Sequence, residues 1–191
     1  MRRTTLHGLR KSLGPNLTAD EDTLALSPDA EVDARLFESH LHVQRPASNF
    51  QLLTSILQLY RGDFLEGFSL PDTPEFDDWV AVQRERYRRL AIRGRAAISQ
   101  LHEAGHDYAA ALDAIDRALA FDPLQEDLQR IALRLHYLSG DRAGAIRRYE
   151  SLRRLLDEEM GVPPMTGTRA LYDAIINDAL PAPSAARCIE C

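Results

Sequence analysis

Residues 101–111 and 135–145 repeat one another at a separation of 34, and this period constrains the chain more than any other feature. Leu101, His102, Asp107, Ala109 and Ala111 return as Leu135, His136, Asp141, Ala143 and Ala145. Similar residues keep the same register beyond them: Leu112 with Ile146, Ile115 with Tyr149, Ala118 with Leu152, Phe121 with Leu155. Each copy reads as the end of one helix, a polar turn (Gly105-His106-Asp107 or Gly140-Asp141) and the start of the next helix. Small residues at fixed places let two antiparallel helices approach closely, while the larger apolar ones fill the groove against the following unit.

A helix-turn-helix unit of this length is the tetratricopeptide period. The expected fold is mainly α, built of tetratricopeptide-like antiparallel helix pairs, and such stacks bind partners rather than carry out chemistry. With 45% apolar residues, the chain can bury one substantial core or the continuous core of a solenoid. No stretch approaches the roughly 18 apolar residues of a membrane span, and Met1–Leu13 is basic without the apolar run of a signal peptide. No membrane partner is therefore expected, and a cytoplasmic location is.

Along the chain, residues 1–13 read as a helix with Leu6, Leu9 and Leu13 on one face, closed by Gly14 and Pro15. Asn16 to Ser27 reads as a hairpin, with a turn at Asp20-Glu21-Asp22 and an arm at Thr23-Leu24-Ala25-Leu26. Asp33 is placed to cap a helix carrying Leu36, Phe37 and Leu41, and Pro46 to start another carrying Phe50, Leu53, Ile56, Leu57 and Tyr60. A loop follows from Arg61 to Asp72. Thr73-Pro74 then opens the longest helix, to about Ala104, with the threonine expected to accept an orphan amide. Gly94 inside that helix implies either close approach of a neighbour or a bend. The second helix of the last pair runs to about Met160 before Gly161-Val162-Pro163-Pro164 stops it, and a capping helix is expected at about Thr168–Leu180. Trp79, Tyr87, Leu90, Leu101 and Leu135 are read as core, and a concave groove lined by the first helix of each pair as the binding surface.

Three segments are distinctive: Tyr60-Arg61-Gly62-Asp63-Phe64-Leu65-Glu66-Gly67-Phe68, Glu75-Phe76-Asp77-Asp78-Trp79-Val80 and Glu159-Met160-Gly161-Val162-Pro163-Pro164. With the repeats between them, they resemble the bacterial transcriptional activator domain found in regulators of the Streptomyces antibiotic regulatory protein type. The resemblance runs from Val32 to Ile176 and departs at Met165-Thr166-Gly167, where the family usually shows a serine-proline run. In that family the helical domain follows a winged helix-turn-helix of the OmpR type, and residues 2–31 resemble the end of such a module, its recognition helix and wing hairpin.

The resemblance implies three parts: a winged-helix remnant at 1–31, the helical activator domain at 32–180, and a flexible tail at 181–191. It also implies a transcription regulator whose partners are DNA, RNA polymerase or another regulatory protein, and a second copy in a homodimer. Residues 1–13 carry Arg2, Arg3, Arg10 and Lys11 with no acid, against a net charge of −6 for the whole chain. With the leucines turned inward, Arg3, Thr4, His7, Arg10 and Lys11 form the DNA-facing set, with Gly8 where relatives often carry a longer polar side chain. Arginine reads guanine edges bidentately, and lysine or threonine holds phosphates. Four cations give a weak, strongly salt-dependent contact unless the rest of the module holds the helix in the major groove. DNA contact is thus expected of the complete regulator. The rival reading is a stand-alone tetratricopeptide-like adaptor without DNA binding, and the basic helix discriminates between them.

Other motifs carry less. His102-Glu103-Ala104-Gly105-His106 matches the zincin pattern, with Glu126 at a third-ligand spacing, but the repeat register puts His106 in the turn, off the helical face that a metal would need. Cys188-Ile189-Glu190-Cys191 is a lone Cys-x-x-Cys in the tail, without a strand-helix context. His40 and His42 point in different directions. Arg84, Arg86, Arg88, Arg89, Arg93 and Arg95 scatter around the long helix and read as a solvated face. The expectation is a protein that is not an enzyme, with no catalytic residue, metal or cofactor.

Overall fold

Helices stack from Asp33 to Ile176 behind a small helix-hairpin module in the computed structural model, which describes residues 2–20, 23–41 and 50–180. Helix α1 (Arg2–Leu13) ends where Gly14 takes a left-handed φ of 54° and Pro15 follows. A single 3-10 turn, Gly14–Asn16, leads into β1 (Leu17–Ala19), which pairs antiparallel with β2 (Leu24–Leu26). Leu17 stands opposite Leu26, Thr18 opposite Ala25 and Ala19 opposite Leu24. The Thr18 hydroxyl reinforces the ladder by donating to the Ala25 carbonyl at 3.0 Å.

Helices α2 (Asp33–Leu41) and α3 (Phe50–Leu57) both pack on α4 (Pro74–Ala104), joining Phe37, Leu53, Ile56 and Leu57 to Leu90 and Ala91. Asp33 opens α2 and takes the Ala34 amide at 2.7 Å. Gly94 marks a close approach: a Cβ there would lie 2.9 Å from a Leu57 methyl and 3.1 Å from one of Leu41. The 31 residues of α4 give a rod of about 46 Å. It carries the loop at one end and the first repeat at the other.

Helices α5 (Tyr108–Leu119), α6 (Glu126–Leu138), α7 (Arg142–Met160) and α8 (Thr166–Ile176) complete the stack, each packed on its predecessor and α8 on both α6 and α7. The two repeats are structurally equivalent. Asp107 caps α5 by accepting the Ala110 amide at 3.1 Å, and Asp141 caps α7 by accepting the Gly144 amide at 2.8 Å. Nδ1 of His102 lies 3.6 Å from the Asp107 carboxylate, and Nδ1 of His136 lies 3.1 Å from that of Asp141. Ala111 and Ala145 are each 0% exposed. Ala111 joins Ile92, Ile115 and Leu135 between α4, α5 and α6, while Ala145 joins Leu133, Tyr149 and Ile175 between α6, α7 and α8. Gly161, with φ of 66°, ends α7 in a left-handed cap in which its own amide donates to the Asp157 carbonyl at 3.0 Å.

Several expectations are corrected. Thr73 accepts no amide through its side chain; its hydroxyl donates to the Leu70 carbonyl at 3.0 Å, and its own carbonyl receives Phe76 and Asp77. Helix α8 begins at Thr166 and ends at Ile176, where Asp178 turns left-handed. Trp79 is 48% exposed and is not core, whereas Leu90 and Leu135 are buried and Tyr87 and Leu101 half-buried. The turn residues Glu21 and Asp22, Pro46 with His42, and the cysteine tail at 181–191 lie outside the described residues.

Candidate protein-contact and nucleic-acid surfaces

The arginines of α4 build the first surface. Arg84 reaches back to the Arg61–Asp72 loop and donates to the carbonyls of Phe64 and Leu65, both at 2.8 Å. Arg88 donates to Asp63 at 2.8 Å, and Tyr60 donates its hydroxyl to the same carboxylate at 3.1 Å. Arg86 pairs with Glu38 of α2. Three of the six arginines are thus anchors, which corrects the reading of a solvated face. Sequence periodicity cannot reveal this, because the acceptors lie 19 to 48 residues away. Burial, with the Asp63 hydrogen bond and charge behind it, pushes the Tyr60 phenol up to about 12. The neighbouring charge of Asp63 raises Arg88 above its usual value.

This clamp shapes the loop, whose Leu65, Gly67 and Asp72 all have positive φ. Its rings join a run of aromatic contacts along α4: Phe68 to Phe76 at 5.9 Å, Phe76 to Trp79 at 5.8 Å, Trp79 to Phe64 at 5.8 Å and Phe64 to Tyr87 at 5.2 Å between centroids. Phe64, Phe76 and Tyr87 are half-buried, and the outer rings are more open. Phe68 is 49% and Trp79 48% exposed, beside exposed Leu70 and Val82. Asp72, Glu75, Asp77 and Asp78, all exposed, lie within a few residues of these rings in the chain. Aromatic side chains are enriched at the centres of protein-contact faces in general, and polar ones at their rims.

The second surface is α1. Leu6 and Leu9 are half-buried, while His7, Arg10 and Lys11 are exposed on the remaining faces. Arg3 and Thr4 lie in the first two turns of the same helix, and their side chains are outside the described residues. At helical spacing Thr4, His7 and Lys11 fall opposite the leucines, with Arg3 and Arg10 at the flanks.

The zincin-like histidines are not brought together. Helix α4 stops at Ala104, His106 takes φ of 60° in the turn, and its Nδ1 lies 3.0 Å from the Tyr108 hydroxyl, while His102 faces Asp107. Glu126 serves α8: its carboxylate accepts the Met165 amide at 2.9 and 3.1 Å and the Thr168 hydroxyl at 2.5 Å. The turn at Met165-Thr166-Gly167 is held by this contact, which sequence reading missed because its two halves are 39 residues apart.

The fold is thus a stack of antiparallel helix pairs with an exposed aromatic cluster at one end. Residues 32–176 match the bacterial transcriptional activator domain, and the chain belongs to that family, one of transcription regulators and not of enzymes. Among its relatives, the regulatory protein AfsR of Streptomyces coelicolor is 32% identical over 127 residues, which is 65% of this chain and 12% of AfsR. The solved structure of Mycobacterium tuberculosis EmbR in complex with a low affinity phosphopeptide matches with a TM-score of 0.63 at 22% identity, covering 94% of this chain and 51% of that chain. This second likeness is one of fold. The chain therefore spans about an eighth of the curated relative and half of the solved one. Among the described residues, no helix is long and apolar enough to cross a membrane.

Proposed function

We propose that this chain is the protein-contacting part of a transcription activator, that the Phe68–Trp79 face is its contact surface, and that α1 faces DNA in the complete regulator. The observation that carries the reading is the aromatic-acidic face: two half-exposed rings, one on α4 and one on the loop that Arg84 and Arg88 fasten to it, with four exposed carboxylates close by in the chain. Its charge specifies a partner with a basic surface around an apolar pocket, on RNA polymerase or another regulatory protein. Pairing this face with itself in a homodimer would set Asp72, Glu75, Asp77 and Asp78 against their own copies, which favours a different partner here.

The test is a reporter assay in the complete regulator, with a band shift on the same promoter. Phe68→Ala and Trp79→Ala are expected to lose activation while retaining promoter binding. Arg10→Ala with Lys11→Ala is expected to lose promoter binding and flatten its salt dependence by about two ions. Full activation by the Phe68 and Trp79 variants would overturn the reading. Tight specific DNA binding by residues 1–191 alone would overturn the division of labour between α1 and the rest of its module.

A further inference from the structure

One concavity among the described residues goes beyond the proposed activator contact. It is a cleft of about 340 Å³ between α3, α4 and α5, with Phe50, Leu57 and Ile98 as its apolar wall. Its polar groups are Thr54, Gln58 and Tyr60, Arg95 and His102 of α4, and Asp113 and Arg117 of α5. The groove expected from the sequence was to be lined by the first helix of each pair; this one takes a wall from the second helix, α5, as well.

Arg95 is the anomaly in it. The side chain is half-buried, its guanidinium rests over the Phe121 ring at 5.7 Å, and its Nε is buried without a hydrogen-bond partner. The nearby carboxylate, Asp113, is engaged by Arg117 at 2.9 Å. Burial, and then repulsion from Arg117, hold the Arg95 guanidinium below its usual value, with Asp113 opposing them. Holding a partly desolvated guanidinium with no ion pair of its own is unfavourable, and an anion arriving in the cleft relieves this through its charge. A guanidinium fork fits a carboxylate in particular. The cleft lies at the lower end of the volumes that hold small ligands, enough for one side chain and its neighbours. Asp113 on its rim penalises a dianion more than a monoanion.

We infer that this cleft binds a carboxylate side chain of an acidic peptide segment, with Arg95 as the principal donor, Arg117 as a second cation and Phe50, Leu57 and Ile98 packing against the aliphatic stem. The test follows the arginine Nε–Hε resonances of the 1–191 chain by NMR. The probes are acetyl-Leu-Glu-Leu-amide, its glutamine counterpart and inorganic phosphate. The glutamate peptide is expected to shift the Arg95 resonance saturably and the glutamine peptide to bind at least tenfold more weakly. Arg95→Gln is expected to abolish binding, Arg95→Lys to weaken it several-fold, and Arg93→Gln, at an exposed position on the same helix, to leave it unchanged. Equal binding of the two peptides, tighter binding of phosphate, or equal effects of the Arg93 and Arg95 variants would overturn the inference. Should Arg95→Gln fail to fold, the wild-type shifts and Arg117→Gln, expected to weaken binding several-fold, decide the matter. None of these residues belongs to the Phe68–Trp79 face, so failure here and failure of the activator contact are separable.

Discussion

Glu126, the first residue of α6, accepts the Thr168 hydroxyl at 2.5 Å in a place where both side chains are almost fully buried. The same carboxylate takes the Met165 amide at the start of α8, and Arg130 donates to the Thr168 oxygen at 3.3 Å. One acidic side chain thereby fastens the last helix to the first helix of the second pair, a contact that gives α8 a fixed starting point.

Removing that acceptor leaves buried donors unpaired, which costs about 1–3 kcal/mol per group. Glu126→Ala is expected to destabilise the chain by about 2–4 kcal/mol and Thr168→Val by about 1–2 kcal/mol. Their combination should fall short of the sum, because the two act through one bond. Urea unfolding of the four species measures this, with the midpoint moving and the slope constant.

The equivalence of the repeats makes a paired prediction. Ala111 and Ala145 are both fully enclosed between helices, so Ala111→Leu and Ala145→Leu should each destabilise by about 1–3 kcal/mol through overpacking. Ala109→Leu and Ala143→Leu, at the exposed repeat positions, should change stability by less than about 0.5 kcal/mol. A large difference between Ala111→Leu and Ala145→Leu would show that the two sites are not equivalent.

Tyr60 predicts the alkaline limb of stability. Its folded-state value of about 12 lies above the ordinary phenol value of 10.0, so the folded protein holds this proton more tightly than the unfolded one. The stabilisation is complete below pH 10 and is lost as pH rises toward 12. Tyr60→Phe should reduce that loss, seen by comparing unfolding midpoints at neutral pH and above pH 10, and should remove the latest step in an ultraviolet phenolate titration. A variant that keeps the wild-type alkaline limb would contradict the assignment.

Much of the scaffold was legible because its signals are local. The turns holding Asp107 and Asp141, the stop at Gly161, the span of α4 and the turn that separates His102 from His106 are each set within a few residues. The long-range contacts were not. Helical spacing places Trp79 on the apolar side of α4, yet says nothing of whether another element covers it, and none among the described residues does so fully. Arg84, Arg88 and Glu126 look like ordinary surface charges until their partners arrive from loops 19 to 39 residues away. The α1 set rests on charge and spacing alone; His7, Arg10 and Lys11 are exposed, and so is Leu13, which the same spacing turned inward.

Trp79 is the single tryptophan of the chain and stands at the centre of the proposed contact face, so it can report on that face directly. The decisive measurement is the ¹⁹F spectrum of the chain labelled with 5-fluorotryptophan, titrated with unlabelled RNA polymerase at low and high salt. The account predicts that the resonance shifts or broadens on addition at low salt, recovers at high salt, and stays unchanged when Phe68→Ala removes the neighbouring anchor. A resonance that ignores the polymerase but responds to the chain's own concentration would contradict it and make this face a dimer contact.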